Sequence, residues 1–144
     1  NYDSLYEYVE IYNNSGELLN ISSLQLVDGG GNTVMISDQQ LAAGATFLIA
    51  RPGLLSRGIV PNITHDGGLS LNNRGESVRL VYNGQTIDEI TYHSGWPYSA
   101  GHALTLDPSK YDTELNDEPS NWCASPTVYS VGSDATEKFS KVVD

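Results

Sequence analysis

Few residues in this chain of 144 have types that could do chemistry. His65, His93, His102 and Cys123 are the zinc-ligating types. A zinc site draws its ligands from close pairs that one turn or hairpin presents together, and these four form no such pair. Ordinary loop histidines are therefore the reading that the spacing favours. His93-Ser94-Gly95 sets a hydroxyl beside an imidazole. The flanking glycines of Gly-x-Ser-x-Gly are missing and no elbow strand precedes the serine, so turn residues are expected here as well. Glu10 and Asp88 would be a glycosidase pair only if a cleft lay between them. Both fall on expected strands, with no insertion to build one.

The segment 107–118 carries Asp107, Asp112, Glu114, Asp117 and Glu118. Calcium takes six to eight oxygens of mixed side-chain and carbonyl origin, and this loop offers several. The glycine at the sixth position of an EF-hand loop is missing, so calcium binding through 107–118 is kept as a minor alternative. Trp96, Pro97 and Tyr98 with Tyr92, Tyr111 and Trp122 would make an aromatic platform for a sugar or peptide if exposed, but aromatics in a β-sandwich more often pack. Asn13-Asn14-Ser15, Asn20-Ile21-Ser22 and Asn62-Ile63-Thr64 fit the glycosylation sequon, and in a bacterial chain they would be coincidence. No catalytic, cofactor-binding or metal residue is assigned, no cofactor is expected, and the chain is expected not to be an enzyme.

Seven basic residues against eighteen acidic ones give a net charge of −11. Such a chain repels phosphate backbones and anionic lipid, which argues against a nucleic-acid partner. The acidity would also suit divalent cations or a salty medium, but a solvated surface is the simpler account. Cys123 has no partner for an internal disulfide, and a domain of this size does not need one in any compartment. No apolar run approaches the ~20 residues that span a bilayer, so membrane insertion is not expected. The chain starts at Asn1 without a signal peptide and reads as an excised or processed piece.

The elements that must position these residues read as strands. Val9 and Ile11 alternate with Tyr8, Glu10 and Tyr12, the period of a strand with one buried face. Asn13-Asn14-Ser15-Gly16 breaks the pattern and Leu19 to Val27 resumes it, so the two runs are expected to form the first strand pair. Asp28 to Asn32 turns the chain into a short strand over 33–37. Residues 41–45 form a turn interrupted by Gly44, and 46–50 is a nearly continuous apolar run suited to a central strand. One helical turn is expected over 54–57, a long loop over 58–68 and a strand restarting at 69–71.

Asn83-Gly84 between 77–82 and 85–92 predicts a two-residue type I′ hairpin. Val78, Leu80 and Tyr82 share one face, whereas Ile87 is out of phase with Ile90, which predicts a bulge or change of face near Asp88. A strand over 103–106 and a short edge at 121–123 follow, and 137–142 is expected as a helical turn or tail. About nine short strands, strong turns and no long helix predict an all-β, antiparallel β-sandwich over residues 1–126. Residues 127–144 are expected as a C-terminal extension, loosely packed or docked at an edge.

The ordered set of these pieces resembles the lamin tail domain. The residues that carry the resemblance are 7–13 (EYVEIYN), 21–26 (ISSLQL), 41–45 (LAAGA), 69–80 (LSLNNRGESVRL), 87–92 (IDEITY), Trp96-Pro97 and 121–125 (NWCAS). They span roughly 7 to 126. Leu24 stands where the family commonly places Trp, Pro126-Thr127 replaces a closing Pro-Gly, and the lamin rod helix is not in this sequence. The resemblance implies an immunoglobulin-like module of the prokaryotic, secreted or cell-surface type. Its expected role is non-enzymatic: it scaffolds a larger extracellular protein or contacts a protein partner. The alternatives are an accessory domain of a secreted hydrolase, nuclease or phosphatase in type, with catalysis outside these residues, and a calcium-stabilised adhesive module.

Overall fold

A computed structural model describes residues 5–98, 102–126 and 139–143. Its elements are β1 (Tyr8–Tyr12), β2 (Leu19–Asn20), β3 (Gln25–Asp28), β4 (Thr33–Met35), β5 (Gln40–Leu41), β6 (Thr46–Ala50), β7 (Ile63–Thr64), β8 (Gly75–Tyr82), β9 (Gln85–His93), β10 (Leu104–Leu106), β11 (Trp122–Ala124) and β12 (Phe139–Val143). Short 3-10 turns occupy Pro52–Arg57, Pro108–Lys110, Leu115–Asp117 and Pro119–Asn121. No α-helix occurs among the described residues, and none of their helical turns is long and apolar enough to cross a membrane.

Two four-stranded sheets, ordered β12-β1-β6-β7 and β4-β3-β8-β9, enclose the core, with the ribbons β2-β5 and β10-β11 at their margins. This is the all-β sandwich that the strand pattern predicts, with the immunoglobulin-like build that the resemblance implies. Alternation decides which side chains meet. Val9 lies opposite Ile49 and Ile11 opposite Phe47 across β1 and β6. In the second sheet Leu26 lies opposite Leu80, and Val78 opposite Ile90. All eight are at most 2 % exposed and belong to one apolar cluster. Truncating a buried Phe47 or Leu80 to Ala in such a core costs about 2–5 kcal/mol.

The 83–84 turn behaves as its residues require. Asn83 and Gly84 have φ of +49° and +78°, the left-handed values of a type I′ turn. The register slips between Leu80 and Val81, and Ile87 is the extra residue, so the bulge sits where the phase change at Ile87 predicts it. Beyond the slip the buried face ends: Tyr82, expected to share it, is 41 % exposed.

Four local expectations need correction. β1 does not pair with the run that follows it; it pairs with β6 and, in parallel, with β12, while β3 crosses to the other sheet beside β4 and β8. Both runs have one buried face, and a sandwich satisfies them equally well on opposite sheets. Segment 58–68 is not all loop, because Ile63–Thr64 adds to β6 in parallel as β7. Leu69-Ser70-Leu71 alternates buried, exposed and buried but is no strand, since side chains take its backbone groups. Ser70 N–H donates to Asp28 Oδ2 (2.9 Å), and Leu69 O accepts from Arg51 Nη2 (2.7 Å). The 137–142 segment is no helical turn where it is described, because Phe139–Val143 runs parallel to β1 as an edge strand. Residues 127–138, most of the expected extension, lie outside the described residues.

Candidate functional site

The site is built at the end of the β8–β9 hairpin distant from the 83–84 turn. Asn72 Oδ1 accepts the Arg74 N–H (3.0 Å) and Asn72 O accepts that of Gly75 (3.3 Å), which fixes the tip carrying Asn73 and Arg74. Gly75 has φ of +145°, and a Cβ there would lie 3.1 Å from Tyr92 O. Only glycine lets β8 begin so close to β9. On the other strand, β9 leaves the sheet through a tight turn in which Trp96 N–H donates to His93 O (2.9 Å). Gly95 N–H donates to His93 Nδ1 (3.1 Å), so the neutral ring keeps its proton on Nε2.

Between these two turns lies a cavity of about 160 Å³ lined by Asn73, Arg74, Tyr92, His93, Ser94, Trp96, Tyr98 and Leu104. Its floor is Tyr92, Trp96 and Leu104, all buried, and its rim is Asn73, Arg74, His93, Ser94 and Tyr98, all exposed. Trp96 cannot swing away. It packs edge-on against Tyr92 (6.5 Å between centroids) and tilted against Trp122 (5.5 Å). The Trp122 indole N–H donates to Asn116 O at 2.7 Å.

That tie connects the floor to the acidic segment. Asn116 is fully buried and donates through Nδ2 to both carboxylate oxygens of Asp88, at 3.1 and 2.9 Å. Asp88 thus lies on the core side of β9 as an anchor for the 115–117 turn. Asp107 and Asp112 hold their own loop. Asp107 Oδ1 accepts from Ser109 N–H and Oγ–H, both 2.8 Å, and these bonds hold its carboxyl below the usual range. Asp112 Oδ1 accepts the N–H groups of Glu114 and Leu115. Asp117 is pushed up by partial burial and by Glu89 and Glu118. The described residues contain no group of three or more His, Cys, Asp or Glu placed to hold a metal ion.

The other sequence candidates are dispersed. His65 is buried, His93 is on the rim, and His102 Nδ1 lies 2.7 Å from Ser125 O. Cys123 is exposed. Glu10 is on β1 and Asp88 on β9, in different sheets. The aromatic platform is divided: Trp96, Trp122 and Tyr92 are packed, Tyr111 packs tilted on Tyr12 with 4.4 Å between centroids, and Tyr98 is 37 % exposed. Of the sequon asparagines, Asn13 is 1 % exposed and donates to Glu17 O and Leu41 O, while Asn20 and Asn62 are at the surface.

Sequence reasoning missed two groups. Asn73 and Arg74 read only as turn residues, although a cation in a glycine turn beside an aromatic-rich run was a usable signal. The other is a buried charged cluster on the other sheet, before β1 and just past β6 and β7. Glu7 and His65 are 6 % and 9 % exposed, and Arg51 Nε lies 3.6 Å from Glu7 Oε2, with Nη1 3.9 Å from Asp66 Oδ1. Burial, then the Arg51 charge, depress His65 to about 4, with Asp66 offsetting part of this.

Comparison with curated proteins and with solved structures gives no match. A family model described as Lamin Tail Domain matches residues 1–94, from before β1 to just past β9. That family is an immunoglobulin-like module, in general a non-catalytic interaction domain. By a match over well more than half its length, this chain belongs to the lamin tail domain family.

Proposed function

We propose that this chain is a non-enzymatic interaction module of a secreted or surface-held protein, and that it contacts a protein partner through the open end of the β8–β9 hairpin. The observation that carries this reading is the size and build of the cavity there. About 160 Å³ is well below the ~300–1,000 Å³ of small-molecule sites and suits a single amino-acid side chain. Its apolar floor is locked by aromatic packing, and its polar rim sits on turns held by backbone hydrogen bonds. A rigid scaffold with such a socket suits an anchor residue from another protein. β9 supports the same reading, because it is the outer strand of its sheet and shows Glu89, Thr91 and His93 to solvent. An edge of this kind can accept an added strand.

The test has two arms on the same purified chain. Assays with a phosphomonoester and with nucleic acid, each with and without divalent cations, are expected to show no turnover. The immobilised chain is expected to retain a protein from its native surroundings, and a double variant Arg74→Ala/Tyr98→Ala to release it. Turnover that a substitution within this chain abolishes would overturn the reading, as would retention unchanged in the double variant.

A further inference from the structure

The rim of the cavity is a donor surface. Arg74 makes no ion pair among the described residues, in a chain with eighteen acidic side chains. His93 presents Nε2–H because its Nδ1 is occupied by Gly95, and Asn73 and Ser94 add an amide and a hydroxyl. Beneath these donors lies the floor of Tyr92, Trp96 and Leu104, closed by Trp122 packing from behind. A ligand that satisfies both parts carries a negative acceptor and an apolar group about one side chain in size, a few ångströms apart.

Resting on the interaction reading above, we infer that the socket binds the C-terminal residue of a partner protein: an apolar last side chain on the floor and its α-carboxylate at Arg74 and His93. A terminal residue holds both groups on one Cα. An internal acidic neighbour does not, because in an extended segment successive side chains point to opposite faces. A carboxylate two residues away, on the same face, would lie ~6–7 Å along the strand, outside a cavity of about 160 Å³. Charge complementarity points the same way: the protein's net charge of −11 disfavours acidic partners in general, so a lone cation above an apolar socket singles out one carboxylate. Arg74 also has the planar fork that takes a carboxylate by two hydrogen bonds.

The test uses N-acetyl-leucine, which carries the side chain and the carboxylate, N-acetyl-leucinamide, which lacks the charge, and N-acetyl-glycine, which lacks the side chain. Each is titrated into the ¹⁵N-labelled full chain and followed at the amides of 73–75 and 93–98 and at the Trp96 indole N–H. N-acetyl-leucine is expected to shift these signals with half-saturation on the order of a millimolar, the range one residue can reach. The amide is expected to bind about fivefold more weakly, as the loss of one partly exposed ion pair implies. N-acetyl-glycine is expected to produce no saturable shift. In Arg74→Ala, an exposed turn substitution that leaves the fold intact, acid and amide bind alike.

Equal binding of acid and amide to the wild-type chain overturns the carboxylate assignment. Shifts confined to signals outside 73–75 and 93–98 overturn the socket. Either result leaves the retention experiment to decide the interaction reading on its own.

Discussion

The buried cluster of Glu7, Arg51 and His65 makes the sharpest prediction about stability. His65 has an ordinary value of 6.5 and is held at about 4 in the fold, by burial first and by Arg51 second. The groups facing it are Arg51, Asp66 and, through Arg51, Glu7. The folded ring is therefore neutral, while the unfolded ring takes a proton below pH ~6.5. In the window between about 6.5 and about 4 the unfolded state binds more protons, so stability falls as the pH drops.

The gap of about 2.5 pH units, at ~1.36 kcal/mol each, sets a ceiling of ~3 kcal/mol, of which ~2.5 kcal/mol is lost by pH 4.5. Asp28 lies outside this window. Burial raises its carboxyl, but hydrogen bonds from Asn32, Ser70 and Gly30 prevail and hold it below 3.8, so its contribution is lost only at lower pH. Asp117 has the opposite sign, because its raised value costs stability as the pH rises through the carboxylate range. Urea unfolding of the wild-type chain and His65→Gln at pH 7.5 and 4.5 isolates the effect. The wild-type midpoint is expected to fall by about 0.8–2.5 M more than that of the variant, for a slope of ~1–3 kcal/mol/M. Parallel losses in the two proteins would refute the reasoning.

Three further outcomes follow from the contacts. Asn116→Ala removes the two amide hydrogen bonds to the Asp88 carboxylate and leaves the Glu89 N–H on Oδ1, which is expected to cost about 2–3 kcal/mol in urea unfolding; a loss under ~0.5 kcal/mol would mean that Asp88 does not rely on Asn116. Gly84→Ala forces a Cβ onto a residue at φ +78°, expected to cost about 1–2 kcal/mol, whereas Asn83→Gly changes stability little. Cys123 is exposed and is expected to react with a thiol reagent in the native protein, without denaturant; reaction only after unfolding would contradict its placement.

The sandwich was legible because its strands announce themselves locally. Val9 and Ile11, the 83–84 turn and the phase slip at Ile87 each determine geometry within a few residues. Pairing was less legible, because alternation says which face is buried and not which strand lies alongside. The run 18–28 follows β1, yet its 19–20 part joins a ribbon with β5 and its 25–28 part crosses to the other sheet, and Ile63–Thr64 is too short to have a period. Leu69 to Leu71 shows the complementary failure: its alternation is real, but Asp28 and Arg51 take the backbone bonds that a neighbouring strand would have taken.

The site was the least legible part. Trp96 and Trp122 stood out as aromatics whose packing is the usual outcome, and they do pack. The cavity arises only because the 72–75 turn and the 93–98 turn meet at the same end of one hairpin. Asn116 was hidden among carboxylates that invited a calcium reading, although it is the buried amide that fastens their loop to the core.

The proposed role of the chain depends on binding at that end of the hairpin. Hydrogen exchange of the chain, alone and with the protein it retains, tests this most directly. Slowed exchange at the amides of 73–75 and 92–98, with the rest of the surface unchanged, is the predicted result. Protection confined to other segments, such as 52–60 and 63–68, would contradict it.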